Sequence, residues 1–328
     1  MNIKNGAIAC FKPLALLLLA ILVTSCAWLN ETKKQTVEAA NAHAIPVDPA
    51  HFIREALVGE IVQEERTQAD GTKAMFYLIR TYSEPHEHAM GPWSPKSISD
   101  GKEAGGIWLH DGQVYDVDGA FIKNMAEFYD DGEWQLYRDD GSVRVTDTKE
   151  AFEAAARPDV DPRYNNYVVE GRPEWFGRHV TTYVIPVNPV YQGRPTRLQH
   201  DAVAVAFNGV NFDPPAPIHA ILDAHTVAPF DHAGGHINPH AGYHYHAATG
   251  QTKEIAQADG HAPMIGYALD GFGLFAHLDA DGNAATTLDE CGGHVDTVRG
   301  YHYHAGAPGS NQIIQAFCGQ PGSMTVAE

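Results

Sequence analysis

The sequence Gly-Tyr-His-Tyr-His-Ala occupies residues 242–247 and recurs 58 positions later at residues 300–305. Each copy follows a segment of the form Asp-x-x-Gly-Gly-His, so the shared pattern covers residues 231–247 and 289–305. A match of this length at a fixed offset is not expected by chance, and it is the strongest organising signal in the chain. It indicates an ancient duplication, or selection for two matching half-sites.

The repeated histidines have the spacing of metal ligands. In a β-strand, residues two apart lie on one face, so the two histidines of each Tyr-His-Tyr-His sequence lie together and the tyrosines lie opposite. The Gly-Gly pair permits a tight turn that could bring the preceding histidine towards them. The candidate ligands are His236, His244, His246, His294, His302 and His304.

Three neutral imidazoles suit zinc or copper and leave one coordination position for water or substrate. The six histidines could form two three-histidine sites or one shared site. Neighbouring residues could orient the ligands through hydrogen bonds; these are Asp231, Asp289, Tyr243, Tyr245, Tyr301 and Tyr303. Alternative ligands in or near the first copy are His225, His232 and His240.

The alternation of tyrosine and histidine is also typical of an ordinary half-buried strand, with tyrosine inside and histidine outside or hydrogen-bonded. The sequence therefore leaves three functions open. They are a metal-binding protein, a metal-dependent hydrolase or copper redox enzyme, and a structural or adhesive module without a metal. The third histidine, present in both copies, favours a ligand or catalytic role.

The N-terminus has the features of an exported lipoprotein. Lys4 and Lys12 precede an apolar run at residues 14–23. This run is too short to span a bilayer. The run ends in Val-Thr-Ser before Cys26, which predicts a signal peptide at residues 1–25 and lipidation of Cys26. Ordinary secretory cleavage, with Cys26 incidental, is the alternative.

A lipid on Cys26 would anchor the protein to a membrane of the bacterial cell envelope. Ala27, rather than aspartate, follows the cysteine, which favours the outer membrane. Residues 26–50 are polar and alanine-rich, and they are predicted to form a tether. The net charge of −19 and the lack of a basic stripe argue against nucleic acid as a partner. The sequence identifies no particular small-molecule or protein partner.

Cys291 and Cys318 are the only cysteines beyond the signal peptide and the predicted anchor. An even pair of thiols in an oxidising compartment predicts a disulfide. Closing that loop would stabilise the fold by roughly 3–4 kcal/mol. A pair of metal thiolates is the alternative.

The chain is predicted to be an α+β protein. Residues 51–165 form a smaller mixed segment, with a helix from Gly119 to Tyr129, a second helix before Pro158 and a hairpin between them. Residues 166–328 form a mostly β domain with long ordered loops, because β-like runs there are broken by proline and glycine.

Further features accompany the repeat: Phe207-Asn208-Gly209-Val210, Gly266-Tyr267-Ala268-Leu269-Asp270-Gly271 and the cysteine pair. Together with the two repeated motifs they resemble the YHYH protein family, over roughly residues 180–320. The resemblance implies a YHYH domain within residues 166–328 and implies no particular activity. The chain departs from the family pattern at residues 273–276, where a proline and a Tyr-Gly pair are expected. Ala233 stands where the second copy has Cys291, so only the second copy is braced.

Overall fold

The computed structural model describes residues 38–41, 43–68, 70–157, 159–199 and 202–327. The predicted signal peptide, Cys26 and the first part of the predicted tether lie outside these ranges. Within them, no helix has the length and apolar character needed to cross a membrane. The architecture is α+β, as predicted, since strands predominate and the helices are short.

The elements follow one another in this chain order. The strands are β1 (Val62–Thr67), β2 (Lys73–Tyr82), β3 (Ile107–His110), β4 (Gln113–Asp116), β5 (Val180–Pro186), β6 (Ala204–Ala206), β7 (Asn211–Phe212), β8 (Gly235–Asn238), β9 (Gly242–Tyr245), β10 (Met264–Ala268), β11 (Gly273–Phe275), β12 (Gly293–Asp296), β13 (Gly300–His304) and β14 (Ser323–Ala327). The α-helices are α1 (Gly119–Lys123), α2 (Met125–Phe128), α3 (Lys149–Ala155) and α4 (Ile218–Leu222). Short 3-10 helices lie at Pro49–His51, Arg54–Ala56, Lys102–Ala104, Pro162–Tyr164 and Pro173–Trp175.

An eight-stranded sheet forms the centre of the C-terminal half, in the order β12-β13-β11-β10-β6-β7-β9-β8. Its two halves have the same plan. In each half an outer antiparallel hairpin pairs in parallel with the second strand of an inner hairpin. The two inner hairpins meet where β6 pairs antiparallel with β10. The strand order is therefore symmetric about the β6–β10 pair.

The inner hairpin β6–β7 turns at Gly209, whose φ is 88°. An L side chain is strained in this conformation, and a Cβ at Gly209 would lie only 2.8 Å from the Cβ of Thr81 on β2. The Thr81 hydroxyl donates a hydrogen bond of 2.6 Å to the Gly209 carbonyl. This close approach attaches the large sheet to the strand that carries Thr81.

Strand β2 belongs to a second, antiparallel sheet with the order β1-β2-β5-β14. This sheet joins strands from both sides of the boundary predicted between residues 165 and 166. One large core cluster likewise includes Ile79, Tyr183 and Phe207. The two predicted segments therefore share a sheet and a core. The physical reason is that the backbone donors and acceptors of β2 pair with those of β5, a strand distant in sequence. In this ladder Tyr82 lies opposite Val180, 98 residues further along the chain.

The end of the predicted tether packs against the C-terminal half. Ala40 is fully buried and Val47 is 7% exposed. The hydroxyl of Tyr267 donates to the Pro46 carbonyl at 2.9 Å, and Asn41 accepts from a backbone amide at 2.7 Å. Residues 38–41 and 43–50 are therefore part of the folded structure, because they bury apolar surface that a free tether would expose.

Two helices of the mixed segment, α1 and α3, begin at a side-chain cap. Asp118 accepts from the backbone amide of Phe121 at 2.7 Å and caps α1. The predicted helix at this position is present as α1 and α2, with a break between them. Thr148 caps α3. The hairpin predicted between the helices is present in short form. Tyr137 and Val143 form an antiparallel bridge, and backbone hydrogen bonds run from Arg138 to Ser142 and from Arg144 to Leu136.

We predict that Gly209→Ala lowers the free energy of unfolding by about 2–4 kcal/mol, because left-handed strain adds to a steric clash with Thr81. Gly71→Ala is the matched control, since Gly71 has a φ of 84° and no atom within 4 Å of an added Cβ. The control should cost only about 1 kcal/mol. Urea unfolding followed by circular dichroism measures both losses. Equal losses would contradict the proposed clash.

Candidate metal centres

Each copy of the repeated pattern folds into an antiparallel hairpin at one edge of the eight-stranded sheet. The first copy forms β8–β9 and the second forms β12–β13, at opposite ends of the strand order. The register places His236 opposite His244. It places His294 opposite His302 in the same way. The next histidine two residues along shares that face, so each hairpin presents three imidazoles together.

The first centre consists of His236, His244 and His246, whose ligand nitrogens all lie within 4.8 Å of one another. The Nε2 atoms of His244 and His246 are 3.0 Å apart. The Nδ1 atom of His244 contacts the Gly242 carbonyl at 3.0 Å. The Nδ1 atom of His246 contacts the Pro214 carbonyl at 2.7 Å.

These carbonyl contacts determine the tautomer of both imidazoles. A carbonyl oxygen only accepts hydrogen bonds, so each Nδ1 carries the proton and each Nε2 keeps a lone pair. The two Nε2 atoms are 3.0 Å apart, and neither carries a proton that could form a hydrogen bond with the other. A cation placed between the two nitrogens would replace this repulsion with coordination.

The second centre consists of His261, His294, His302 and His304, whose ligand nitrogens also lie within 4.8 Å of one another. The Nε2 atom of His302 is 3.1 Å from that of His261 and 3.0 Å from that of His294. The Nε2 atoms of His294 and His304 are 3.3 Å apart. The Nε2 atoms of four imidazoles therefore face one small volume.

Backbone carbonyls also orient imidazoles of the second centre through Nδ1. The acceptors are Gly300 for His302 at 3.0 Å, Ala276 for His304 at 3.2 Å and Ala262 for His261 at 3.0 Å. The histidines therefore form two separate groups, and the structure does not bring the six predicted ligands to one shared point.

Burial favours the neutral imidazoles of both centres. It lowers the pKa of His302 to about 3 and that of His304 to about 4, and neighbouring histidines add to the effect. In the first centre burial, together with the neighbouring imidazoles, holds the pKa of His236 and His246 well below the usual value. Neutral imidazole is the form that binds a metal, so these residues can coordinate at neutral pH without first losing a proton.

His261 lies outside the repeated pattern, and no local feature of the sequence identifies it. Its loop is held by Arg299, whose side chain is 5% exposed. The guanidinium donates to both carboxylate oxygens of Asp259 at 2.5 Å and to Asp296 at 2.5 Å. Ala241 occupies the position of Arg299 in the first copy. The contact that holds the fourth histidine thus has no counterpart in the first centre.

A cavity of about 280 Å³ opens onto the first centre and is lined by all three of its histidines. Asp213 and Asn238 line the same cavity. An oxygen of Asp213 lies 3.8 Å from His244 Nε2, and the amide nitrogen of Asn238 lies 3.4 Å from it. The first centre therefore combines three imidazoles, a carboxylate and an amide with space for a further molecule.

The second centre is covered differently. A cavity of about 630 Å³ lies beside it, but His261 is the only one of its four histidines in the cavity lining. The ring of Phe275 packs against His261 and His302, with centroids 4.8 and 5.0 Å apart. An aromatic ring packs on each centre, since Phe230 contacts His236 and His246 in the first. The second centre differs in having a fourth imidazole and in the smaller share of its histidines that lines a cavity.

Asp231 and Asp289 contact tyrosines and turn amides instead of the histidines they were expected to orient. Asp231 accepts from the Tyr243 hydroxyl at 2.7 Å, and Asp289 accepts from the Tyr301 hydroxyl at 3.1 Å. Each carboxylate also accepts from two backbone amides of its Gly-Gly turn. The aspartates therefore hold the turn to the strand, because backbone carbonyls already fill the role of imidazole acceptor.

The remaining two tyrosines connect each histidine hairpin to an inner hairpin. Asn208 donates to the Tyr245 hydroxyl at 2.7 Å. The Tyr303 hydroxyl donates to Asp270 at 2.5 Å. Burial raises the pKa of Asp270 to about 6, despite this hydrogen bond. The faces of β9 and β13 opposite the histidines thus serve the packing of the sheet.

Cys291 and Cys318 form a disulfide with a Cα–Cα distance of 5.9 Å, which confirms the predicted pairing. The bridge ties the Gly-Gly turn of the second copy to the C-terminal segment, and it removes both thiols as metal ligands. Among the alternative ligands of the first copy, His225 contacts Asp131 at 2.8 Å. Within the described residues, neither it nor His232 or His240 belongs to a histidine cluster.

We predict that Arg299→Ala weakens metal binding at the second centre by roughly 10- to 100-fold, because the loop that carries His261 loses its anchor. The first centre should keep its affinity. Competition against a colour-forming chelator measures both. Arg194→Ala, which removes an exposed arginine, is the control and should change neither affinity. An unchanged second centre in Arg299→Ala would show that His261 does not depend on this anchor.

Residues 182–287 match the family model described as YHYH protein. The matched range contains the first centre and His261 and ends before the other three histidines of the second centre. No curated protein and no solved structure matches the chain. The motifs that suggested this resemblance lie on the hairpins described above. The C-terminal half of this chain therefore contains a domain of the YHYH protein family.

Proposed function

We propose that this chain is a cell-envelope lipoprotein that binds transition-metal ions, zinc or copper, at two histidine centres. One observation carries the proposal: the Nε2 atoms of His244 and His246 lie 3.0 Å apart, and three pairs of Nε2 atoms in the second centre lie 3.0–3.3 Å apart. Metal–nitrogen bonds of about 2.0–2.1 Å place the ligands of a tetrahedral ion roughly 3.3 Å apart. The spacing of the imidazoles matches that requirement.

The chemistry of the ligands supports zinc or copper. Both metals bind neutral imidazole well, whereas calcium and magnesium prefer oxygen ligands. The two cysteines of the described residues are joined in a disulfide and offer no thiolate. Four imidazoles suit a closed structural ion at the second centre, and three suit an ion with an open position at the first.

Metal-dependent hydrolysis at the first centre is a second candidate function, and a copper redox reaction there is its variant. The observation that favours catalysis is the cavity that reaches all three histidines and Asp213. A metal ion lowers the pKa of a bound water, and a nearby carboxylate can accept its proton. The cavity described beside the second centre reaches only His261 among its four histidines.

We predict that protein purified without a histidine tag or chelators contains one metal ion per centre. His244→Ala should remove the ion of the first centre, and His302→Ala should remove that of the second, because each loses a buried ligand. Elemental analysis by mass spectrometry measures the stoichiometry.

His232→Ala is the matched control, because His232 is an exposed histidine in the same copy. The control should keep both ions. Metal-free wild-type protein that also fails to take up zinc or copper on reconstitution would contradict the proposal. It would favour a structural or adhesive module whose tyrosines pack the strands.

We predict that the mature protein begins at a lipidated Cys26 and is held at the outer membrane. The proposal is supported by the short apolar run that ends at a Val-Thr-Ser-Cys sequence. Cys26→Ser should leave the precursor unprocessed or the protein unanchored. Membrane fractionation and the mass of the N-terminal peptide test this. Unchanged processing and unchanged fractionation of the variant would contradict the anchor.

A further inference from the structure

The walls of the first-centre cavity are mostly apolar. Besides the polar groups at the histidines, its lining includes Trp93, Phe152, Val169, Ile221, Ala228 and Ile237. Trp93 and Phe152 are nearly fully buried, so these walls are packed in place. A space of about 280 Å³ is at the small end of ligand pockets. It suits a single ring or a short aliphatic chain.

The polar groups of the cavity are grouped at the first centre and differ in hydrogen-bonding character. Asp213 offers a carboxylate oxygen 3.8 Å from His244 Nε2, and its other oxygen accepts from the amide of Asn211. Asn238 offers an amide donor 3.4 Å from the same nitrogen. An acceptor, a donor and three metal-binding nitrogens thus face one end of an apolar space.

The second centre differs from the first at the corresponding positions. The carbonyl that accepts from the last histidine of each copy belongs to Pro214 in the first centre and to Ala276 in the second. The residue before each acceptor is Asp213 in the first centre and Phe275 in the second. Where the first centre has a carboxylate, the second therefore has an aromatic ring packed on its ligands.

We propose that the first centre alone binds an external ligand, and that this ligand is a small acyl compound with an apolar body. The acyl oxygen coordinates the ion and accepts from Asn238. An adjacent N–H or O–H donates to Asp213, and the ring or chain lies against Trp93 and Phe152. Amides and hydroxamic acids have this arrangement of groups. The inference rests on the proposed metal binding and assigns its two centres different roles.

The test uses full-length protein loaded with cobalt(II), whose visible spectrum reports changes of ligand. Benzohydroxamate and acetohydroxamate are the probes, since they share the acyl head and differ in the apolar body. Benzohydroxamate should alter the spectrum with a Kd at least roughly tenfold lower than that of acetohydroxamate, because its ring is buried. Cobalt content measured after titration excludes simple extraction of the ion.

Two variants separate the centres. His302→Ala should retain one cobalt ion and the full response, whereas His244→Ala should retain one ion and lose the response. The ion kept by each variant shows that the chain has folded. Asp213→Asn keeps the side-chain shape and should retain both ions, while its Kd for benzohydroxamate rises roughly tenfold because a charged acceptor is lost.

The outcomes are distinguishable. Failure of the wild type to bind cobalt overturns the proposed metal binding and this inference with it. Binding of two ions with no response to either probe overturns only the inference. A response that survives in His244→Ala assigns the ligand to the other centre and also overturns it. Equal Kd values for the two probes contradict the apolar body of the ligand.

Discussion

The hydrogen bond from an imidazole Nδ1 to a backbone carbonyl is the interaction on which both centres depend. It is made by His244, His246, His302 and His304, each with a carbonyl 2.7–3.2 Å away. Because the carbonyl can only accept, the Nε2 of each ring faces the centre with a lone pair. Orientation of metal-binding histidines by a second hydrogen bond is a general feature of metal sites. Here the backbone supplies it, so the orientation is built into the sheet.

The alternation of side chains along β9 and β13 separates packing from chemistry. Histidines occupy one face, and the tyrosines of the opposite face bind Asn208, Asp231, Asp270 and Asp289 through their hydroxyls. These buried polar contacts connect the outer hairpins to the inner ones and to the Gly-Gly turns. The histidine face therefore depends on a hydrogen-bonded polar network on the other side of the same strands.

The two centres are built on equivalent hairpins but have different surrounding residues. Arg299 and His261 complete the second centre with a fourth imidazole, whereas Ala241 stands at the position of Arg299 in the first. Asp213 lies beside the first centre and Phe275 beside the second. The first-centre cavity also uses Trp93, Phe152 and Val169, which lie outside the matched range of residues 182–287. Residues outside that range thus shape the space available at its first centre.

The sequence by itself determined the six repeated histidines, their common face, the cysteine pair and the predominance of strands. The histidines and their common face follow from local spacing: a fixed offset between copies and a period of two along a strand. The cysteine pair follows from the even count of cysteines beyond the predicted anchor. Only the tertiary structure decided that the histidines form two groups, that His261 joins the second and that Asp213 borders the first. It also decided that β2 and β5 share a sheet across the predicted boundary. These features are contacts between residues distant in sequence. They form through burial and through pairing of backbone groups, and local spacing does not predict them.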